Sequence, residues 1–165
     1  MRFALALIAA FEGASSPPAR IGDRAPVLAL DTLEGHVLRD PSLTGQITIV
    51  DFFATWCGPC HRALDDLADV EGQLSSPPRL VVISVGEDAM VVKRYIEQHP
   101  LPTGAELALD PTSTVARAWG QDRFPTTFIV DGDGVIRHIN RGWGRGYAER
   151  MRRWLRSMTS PAPVP

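Results

Sequence analysis

Residues Phe53 to His61 read FATWCGPCH and contain both cysteines of the 165-residue chain. Two thiols separated by two residues can close a disulfide on each other and reopen it, which makes Cys57 and Cys60 a candidate two-electron redox pair. With His61 next in line, the same letters also satisfy the Cys-x-x-Cys-His attachment pattern of c-type haem. The two chemistries make different demands. A redox dithiol needs one sulfur that is readily a thiolate, an exposed approach to it, and a second thiol placed to resolve a mixed disulfide. A haem needs an axial ligand and a pocket that encloses the macrocycle, for which His36, His99, His138 and four methionines are available.

The elements around the pair favour the dithiol. ITIVDFFA, Ile47 to Ala54, is a mostly apolar run rich in β-branched residues, and it predicts a central strand buried on both faces. Beyond Cys57, Leu64, Leu67, Ala68 and Leu74 recur at helical spacing up to the break at SSPP. The cysteines therefore stand where a buried strand gives way to a helix. Free amides and the dipole at a helix N-terminus favour an anion, and Cys57, at the start, gains most. Lowering its pKa from about 8.5 to about 7 corresponds to roughly 2 kcal/mol of preference for the thiolate. The thiolate fraction at pH 7 then rises about 15-fold, but the weaker base is a poorer nucleophile, so the net kinetic gain is roughly 3-fold.

The rest of the chain alternates strand and helix patterns. VLAL (Val27 to Leu30) and HVL (His36 to Leu38) flank DTLEG and predict an opening hairpin. LVVISV, Leu80 to Val85, predicts a second buried strand, followed by a helix from Asp88 to Gln98 that ends at His99-Pro100. ELAL (Glu106 to Leu109) predicts a short strand, and Thr112 to Trp119 a helix closed by Gly120. TTFIVD and VIRHI, joined by Gly132 to Gly134, predict a hairpin, and a last helix runs from Tyr147 to Met158 with Tyr147, Met151, Trp154, Leu155 and Met158 on one face. The expected class is α/β, a mixed sheet with helices on both faces.

Composition bounds the function. Hydrophobic content of 44% and charged content of 22% are those of an ordinary globular domain, and a net charge of −2 argues against a nucleic-acid binder. Residues 1–20 place one arginine, a short apolar run and small residues ahead of two prolines, which reads as a signal peptide or a disordered N-terminal segment. Residues 21–158 form the domain, and residues 159–165 a proline-rich tail without expected structure. Asp131 to Gly134 mimics the opening of a calcium loop, but Gly142 stands where the loop needs glutamate, so no metal site is expected.

Taken together, the segment from Ala25 through FATWCGPC, the later RFPTTFIVDGDGVI, and VVISVGED with its following helix resemble the thioredoxin superfamily, specifically its exported TlpA/ResA-like branch. The resemblance runs from about Ile21 to Met158. It implies a thioredoxin-like fold with an N-terminal β-hairpin extension. It also implies roles for matching positions: Cys57 as the exposed nucleophile, Cys60 as the resolving thiol, Trp56 as shield and contact surface, and Gly58 and Pro59 as the dipeptide of reducing thioredoxins. Pro125, before Thr126, corresponds to the cis-proline that presents backbone to a bound polypeptide. Asp51, six residues before Cys57, occupies the position of the buried aspartate. Desolvated there, it would have a raised pKa and could accept the Cys60 proton. ResA-like members often carry a glutamate three residues after the second cysteine, where this chain has Ala63, and position 65, commonly proline, is Asp65. The first helix is then expected to lack its usual kink. The cytochrome-maturation branch often has Pro-Glu-Thr after its cis-proline, where this chain reads Pro125-Thr126-Thr127.

The expected activity is reduction of protein disulfides, with no cofactor beyond the Cys57–Cys60 pair. The expected partners are protein disulfide substrates and an upstream, membrane-bound thiol-disulfide donor, with no nucleic acid, and the protein acting as a monomer outside a bacterial cytoplasm, free or membrane-anchored. A non-catalytic binding module, a thiol peroxidase and a cytoplasmic location are the alternatives. His61 is expected to be a simple exposed residue of the first helical turn.

Overall fold

The computed structural model of the protein describes residues 17–40 and 43–159. The sequence expectations for the leader and for the proline-rich tail fall on residues 1–16 and 160–165, outside the described residues, apart from Pro17 to Arg20 and Thr159. Within this span the order is β1 (Leu28–Thr32), β2 (Val37–Asp40), β3 (Thr48–Phe53), α1 (Gly58–Glu71), β4 (Arg79–Val85), α2 (Ala89–Gln98), β5 (Glu106–Asp110), α3 (Thr114–Ala118), β6 (Thr126–Val130), β7 (Ile136–Arg141) and α4 (Tyr147–Thr159). All strands join one mixed sheet in the order β2-β1-β5-β4-β3-β6-β7. The expected hairpins are both present, β1 with β2 and β6 with β7.

All six residues of β3 are buried, because the strand is covered on both faces as its apolar run requires. Strands β3, β4 and β5 are parallel neighbours. Two successive crossovers stepping in one direction with the same right-handed sense place α1 and α2 on the same face. Helix α4 joins them there: Ile49 and Phe53 of β3 share one core with Leu64 and Leu67 of α1, Val92 of α2, and Tyr147, Met151 and Leu155 of α4. Val50 and Phe52, the alternate residues of β3, pack on the other face with Ala116 of α3, Trp119, and Leu28 and Leu38 of the first hairpin. By that alternation Asp51 belongs to the face that carries α1, α2 and α4. Helix α1 runs without interruption from Gly58 to Glu71.

Helix α3 is shorter than its pattern, spanning Thr114–Ala118 instead of beginning at Thr112. The Asp110 side chain, buried at the end of β5, accepts from the backbone N–H of Thr114 (2.9 Å) and of Ala116 (2.8 Å), and Ser113 adopts a left-handed φ of 57°. The carboxylate thus does the capping, and the chain cannot enter the helix until it has turned past it. At the other end Gly120 has φ +70°, and a Cβ there would fall 2.5 Å from Pro18 Cβ. The preceding segment, with Ala19 buried, lies directly against this turn.

Candidate active site

The site is assembled at the C-terminal end of β3. Cys57 is the N-cap of α1 in extended conformation (φ −89°, ψ 94°), and its Sγ accepts from the Cys60 backbone N–H at 3.2 Å. Pro59 falls in the first turn, where a missing N–H leaves no helical bond unmade. The two sulfurs are joined in a disulfide, with the Cα atoms 5.3 Å apart. The sulfur pair is less open than the sequence suggests: Cys57 is 4% exposed and Cys60 is fully covered. What projects instead is Trp56, 70% exposed, its ring set edge-on at 5.3 Å from Phe124. The peptide bond between Phe124 and Pro125 is cis. Gly142 donates its N–H to the Pro125 carbonyl (2.7 Å), and the Thr126 hydroxyl donates to the Arg123 carbonyl (2.7 Å), fixing the turn that carries the proline. Because Phe52 of β3 pairs with Thr126 of β6, the redox loop and the proline turn leave the sheet side by side.

Thr55 anchors the loop before the cysteines. Its N–H donates to Glu87 Oε2 at 2.9 Å, its hydroxyl donates to Glu87 Oε1, and Ser84 Oγ donates to Glu87 Oε2 at 2.8 Å. From the other side, His61 Nε2 meets the Thr55 carbonyl at 3.0 Å. The imidazole lies tilted at 35° against Tyr95 (4.9 Å), which in turn stacks on His99 (4.6 Å). His61 is therefore a half-buried tie between α1 and the redox loop, and the expectation of a simple exposed residue is corrected. The bond to a main-chain carbonyl and the ring stack hold it down. The three rings border a groove of about 490 Å³ closed by Pro100 and Leu101. Farther along α1, Asp66 accepts from Trp143 Nε1 (2.8 Å) while the Arg62 guanidinium lies 5.1 Å over the same indole.

Asp51 is fully buried. Its Oδ1 accepts from the Thr127 hydroxyl at 2.7 Å, and Thr127 Oγ1 also meets the Tyr147 hydroxyl at 2.8 Å. Its Oδ2, equally buried, has no hydrogen-bond partner among the described residues. Burial pushes the carboxyl up from 3.8 to about 7, against the opposing pull of the Thr127 hydrogen bond. Burial, with the Asp51 charge nearby, likewise holds the Tyr147 phenol well above its usual value. The result is an acid on the sheet face shared with Cys60 that changes protonation near neutral pH.

The sequence profile of the AhpC/TSA family matches residues 21–139. The chain belongs to that family. Relatives within reach of this AhpC/TSA chain include a thiol:disulfide interchange protein DsbE homolog of Paracoccus denitrificans, 35% identical over 128 residues that cover 76% of this chain and 69% of that one. The thiol-disulfide oxidoreductase ResA of Geobacillus thermodenitrificans is 28% identical over 123 residues, 74% of this chain and 70% of that one. Among solved structures, a putative thiol:disulfide interchange protein DsbE from Chlorobium tepidum superposes with a TM-score of 0.77 at 23% identity, covering 86% of this chain and 99% of that one. The shared fold is thioredoxin-like, as the motifs imply.

The structure brings Cys57, Gly58, Pro59 and Cys60 together at one helix start, with Trp56 beside the turn of Pro125 and Thr126, and Asp51 on the sheet face that packs against the same helix. Sequence reasoning missed Glu87, Phe124, Thr127 and Tyr147. Thr127 reads in the sequence as one more β-branched strand residue, and only the register of β3 with β6 sets it opposite Asp51. Nothing in the sequence ties Glu87 to Thr55.

Proposed function

We propose that this chain is a thiol-disulfide oxidoreductase that reduces protein disulfides with the Cys57–Cys60 dithiol. The observation that carries the reading is the disulfide-linked pair at the N-terminus of α1, on the sheet face that also holds the buried Asp51 carboxyl; family membership and the names of the relatives support it. The Cys57 thiolate attacks one sulfur of a substrate disulfide, a Cys57–substrate disulfide forms, and the other substrate sulfur leaves as a thiolate. Asp51 then takes the Cys60 proton, the Cys60 thiolate attacks Cys57 Sγ, and the substrate's remaining sulfur leaves. The enzyme ends as the Cys57–Cys60 disulfide, two electrons having passed to the substrate, and a dithiol donor must return it to the reduced state. No further cofactor enters this cycle.

Trp56, Phe124 and the Pro125 turn form the rim against which a substrate polypeptide lies, Trp56 offering exposed apolar area and Pro125 its neighbouring backbone. The Gly58-Pro59 dipeptide resembles that of reducing thioredoxins and supports a potential nearer about −270 than about −120 mV. The leader-like residues 1–20 and the resemblance to an exported branch support a location outside the cytoplasm, with a membrane thiol-disulfide carrier as donor and the chain acting as a monomer.

Purified protein is expected to reduce insulin disulfides with dithiothreitol supplied, and Cys60→Ser is expected to trap native partners on Cys57. Absence of any trapped species from a native extract counts against the mechanism, and a potential above roughly −180 mV reverses its direction.

A further inference from the structure

The chain Tyr147–Thr127–Asp51 has a direction that proton counting fixes. A threonine hydroxyl carries one hydrogen and can donate once. Thr127 Oγ1 lies 2.7 Å from Asp51 Oδ1 and 2.8 Å from the Tyr147 hydroxyl. An ionised Asp51 can only accept, so Thr127 donates to Oδ1 and Tyr147 must donate to Thr127. The reverse order would need a protonated Oδ1 donating to Thr127 and Thr127 donating to Tyr147. The Tyr147 hydrogen would then have no acceptor among the described residues, since the phenol meets only Thr127 there and is buried at the start of α4. Proton counting thus fixes the forward order for the ionised acid, the state in which Asp51 stands ready to receive a proton.

We infer that Thr127 and Tyr147 are positioning residues that occupy Asp51 Oδ1 from one side and thereby reserve Oδ2 as the atom that takes up and returns the Cys60 proton. The inference rests on the proposed role of Asp51 for its last clause only. Oδ2 suits the task because it is the carboxyl oxygen without a hydrogen-bond partner among the described residues. The proton moves from Cys60 Sγ to Oδ2 as the Cys60–Cys57 bond forms, and it leaves Oδ2 again for the same sulfur when the disulfide is reduced. Tyr147 stays protonated throughout, its phenol pushed well above its ordinary range by burial. The chain also couples the acid to α4, an element no cysteine touches through a hydrogen bond.

The test follows protonation of the Asp51 carboxyl in the oxidised protein, where neither cysteine titrates, by infrared difference spectroscopy with Asp51→Asn as blank. The wild-type midpoint is expected near 7. Thr127→Val keeps the shape of the side chain, removes the donor to Oδ1, and is expected to raise the midpoint by about one pH unit. Thr127→Ser is expected to restore it, and Tyr147→Phe to raise it by less than half the Thr127→Val shift. An unchanged midpoint in Thr127→Val overturns the chain, and a fall in Tyr147→Phe overturns its direction. In parallel, the pH dependence of resolution is read by stopped flow from release of thionitrobenzoate preloaded on Cys57 of the reduced protein. A rate inflection that moves with the carboxyl midpoint supports the whole inference. A midpoint that moves while the inflection stays put supports the hydroxyl chain and overturns Asp51 as proton acceptor.

Discussion

Glu87 holds Thr55 by two atoms at once, accepting its backbone N–H at 2.9 Å and its hydroxyl with the other carboxylate oxygen. Thr55 stands two residues before Cys57, while Glu87 sits in the connection between β4 and α2, so the bond spans 32 residues to clamp the redox loop. Such a clamp limits the conformations in which Trp56 and Cys57 meet a substrate. Glu87→Ala removes three hydrogen bonds to a carboxylate and leaves the buried Ser84 hydroxyl unpaired. A destabilisation of about 2 kcal/mol, or about 4–8 °C in Tm, is expected, together with slower insulin reduction. Calorimetry of the oxidised protein checks the first figure, and an unchanged Tm removes the clamp from the account.

Asp51 links stability to pH. Its carboxyl is raised by burial from 3.8 to about 7 in the folded protein, so between those values the native state holds a proton that the unfolded chain has released. Stability therefore falls as pH rises from about 4 through about 7, and the burial penalty is fully expressed above that. Asp51→Asn carries no such charge. Against the wild type it is expected to gain on the order of 2–4 kcal/mol of relative stability between pH 4 and pH 8.5. Denaturant titrations of both oxidised proteins at the two pH values test this, and parallel curves contradict a raised carboxyl. Since Asp51 is the proton acceptor of the proposed cycle, the same variant is expected to slow resolution while becoming more stable.

Gly120 makes a purely conformational prediction. With φ at +70° and Pro18 in the space a Cβ would fill, Gly120→Ala must either strain the turn after α3 or push the 17–20 segment off the domain. A loss of about 1–3 kcal/mol is expected, with insulin reduction by the folded fraction unchanged, because the turn bears on the sheet face opposite α1. Equal stability of the variant would show that the segment packs only loosely there.

Much of this was legible in the sequence because strong local signals agreed with the fold. The six buried residues of β3 follow from one continuous apolar run and the apolar stripe of α4 from its helical period, each a signal that a single segment carries. Asp51 was legible because a lone acid in a buried strand is conspicuous. Its partners were not: Thr127 reads as one more β-branched strand residue and Tyr147 as one more member of an apolar stripe, and only the sheet register brings their hydroxyls together. His61 misled because the first turn of a helix is usually solvent-facing, whereas here the redox loop folds back over it. Helix α3 came out short because Asp110, which reads as the polar end of a strand, turns inward and caps.

A substitution at Trp56 tests whether substrate binding can be separated from redox chemistry. It is 70% exposed, touches Phe124 edge-on, and makes no hydrogen bond in the redox loop, so its ring is available to a partner. A polypeptide that lies across the site would cover it, whereas a small disulfide would reach Cys57 without it. Trp56→Ala is therefore expected to lower kcat/KM for a protein disulfide by roughly ten-fold, the equivalent of about 1.4 kcal/mol, and to change the rate with a small aromatic disulfide by less than about two-fold. Stability should move little, since an exposed ring loses little burial on truncation. Comparing insulin with a chromogenic small disulfide under the same conditions reads the split directly. Equal losses on both would mean that the indole acts on the sulfurs themselves and not on the bound chain.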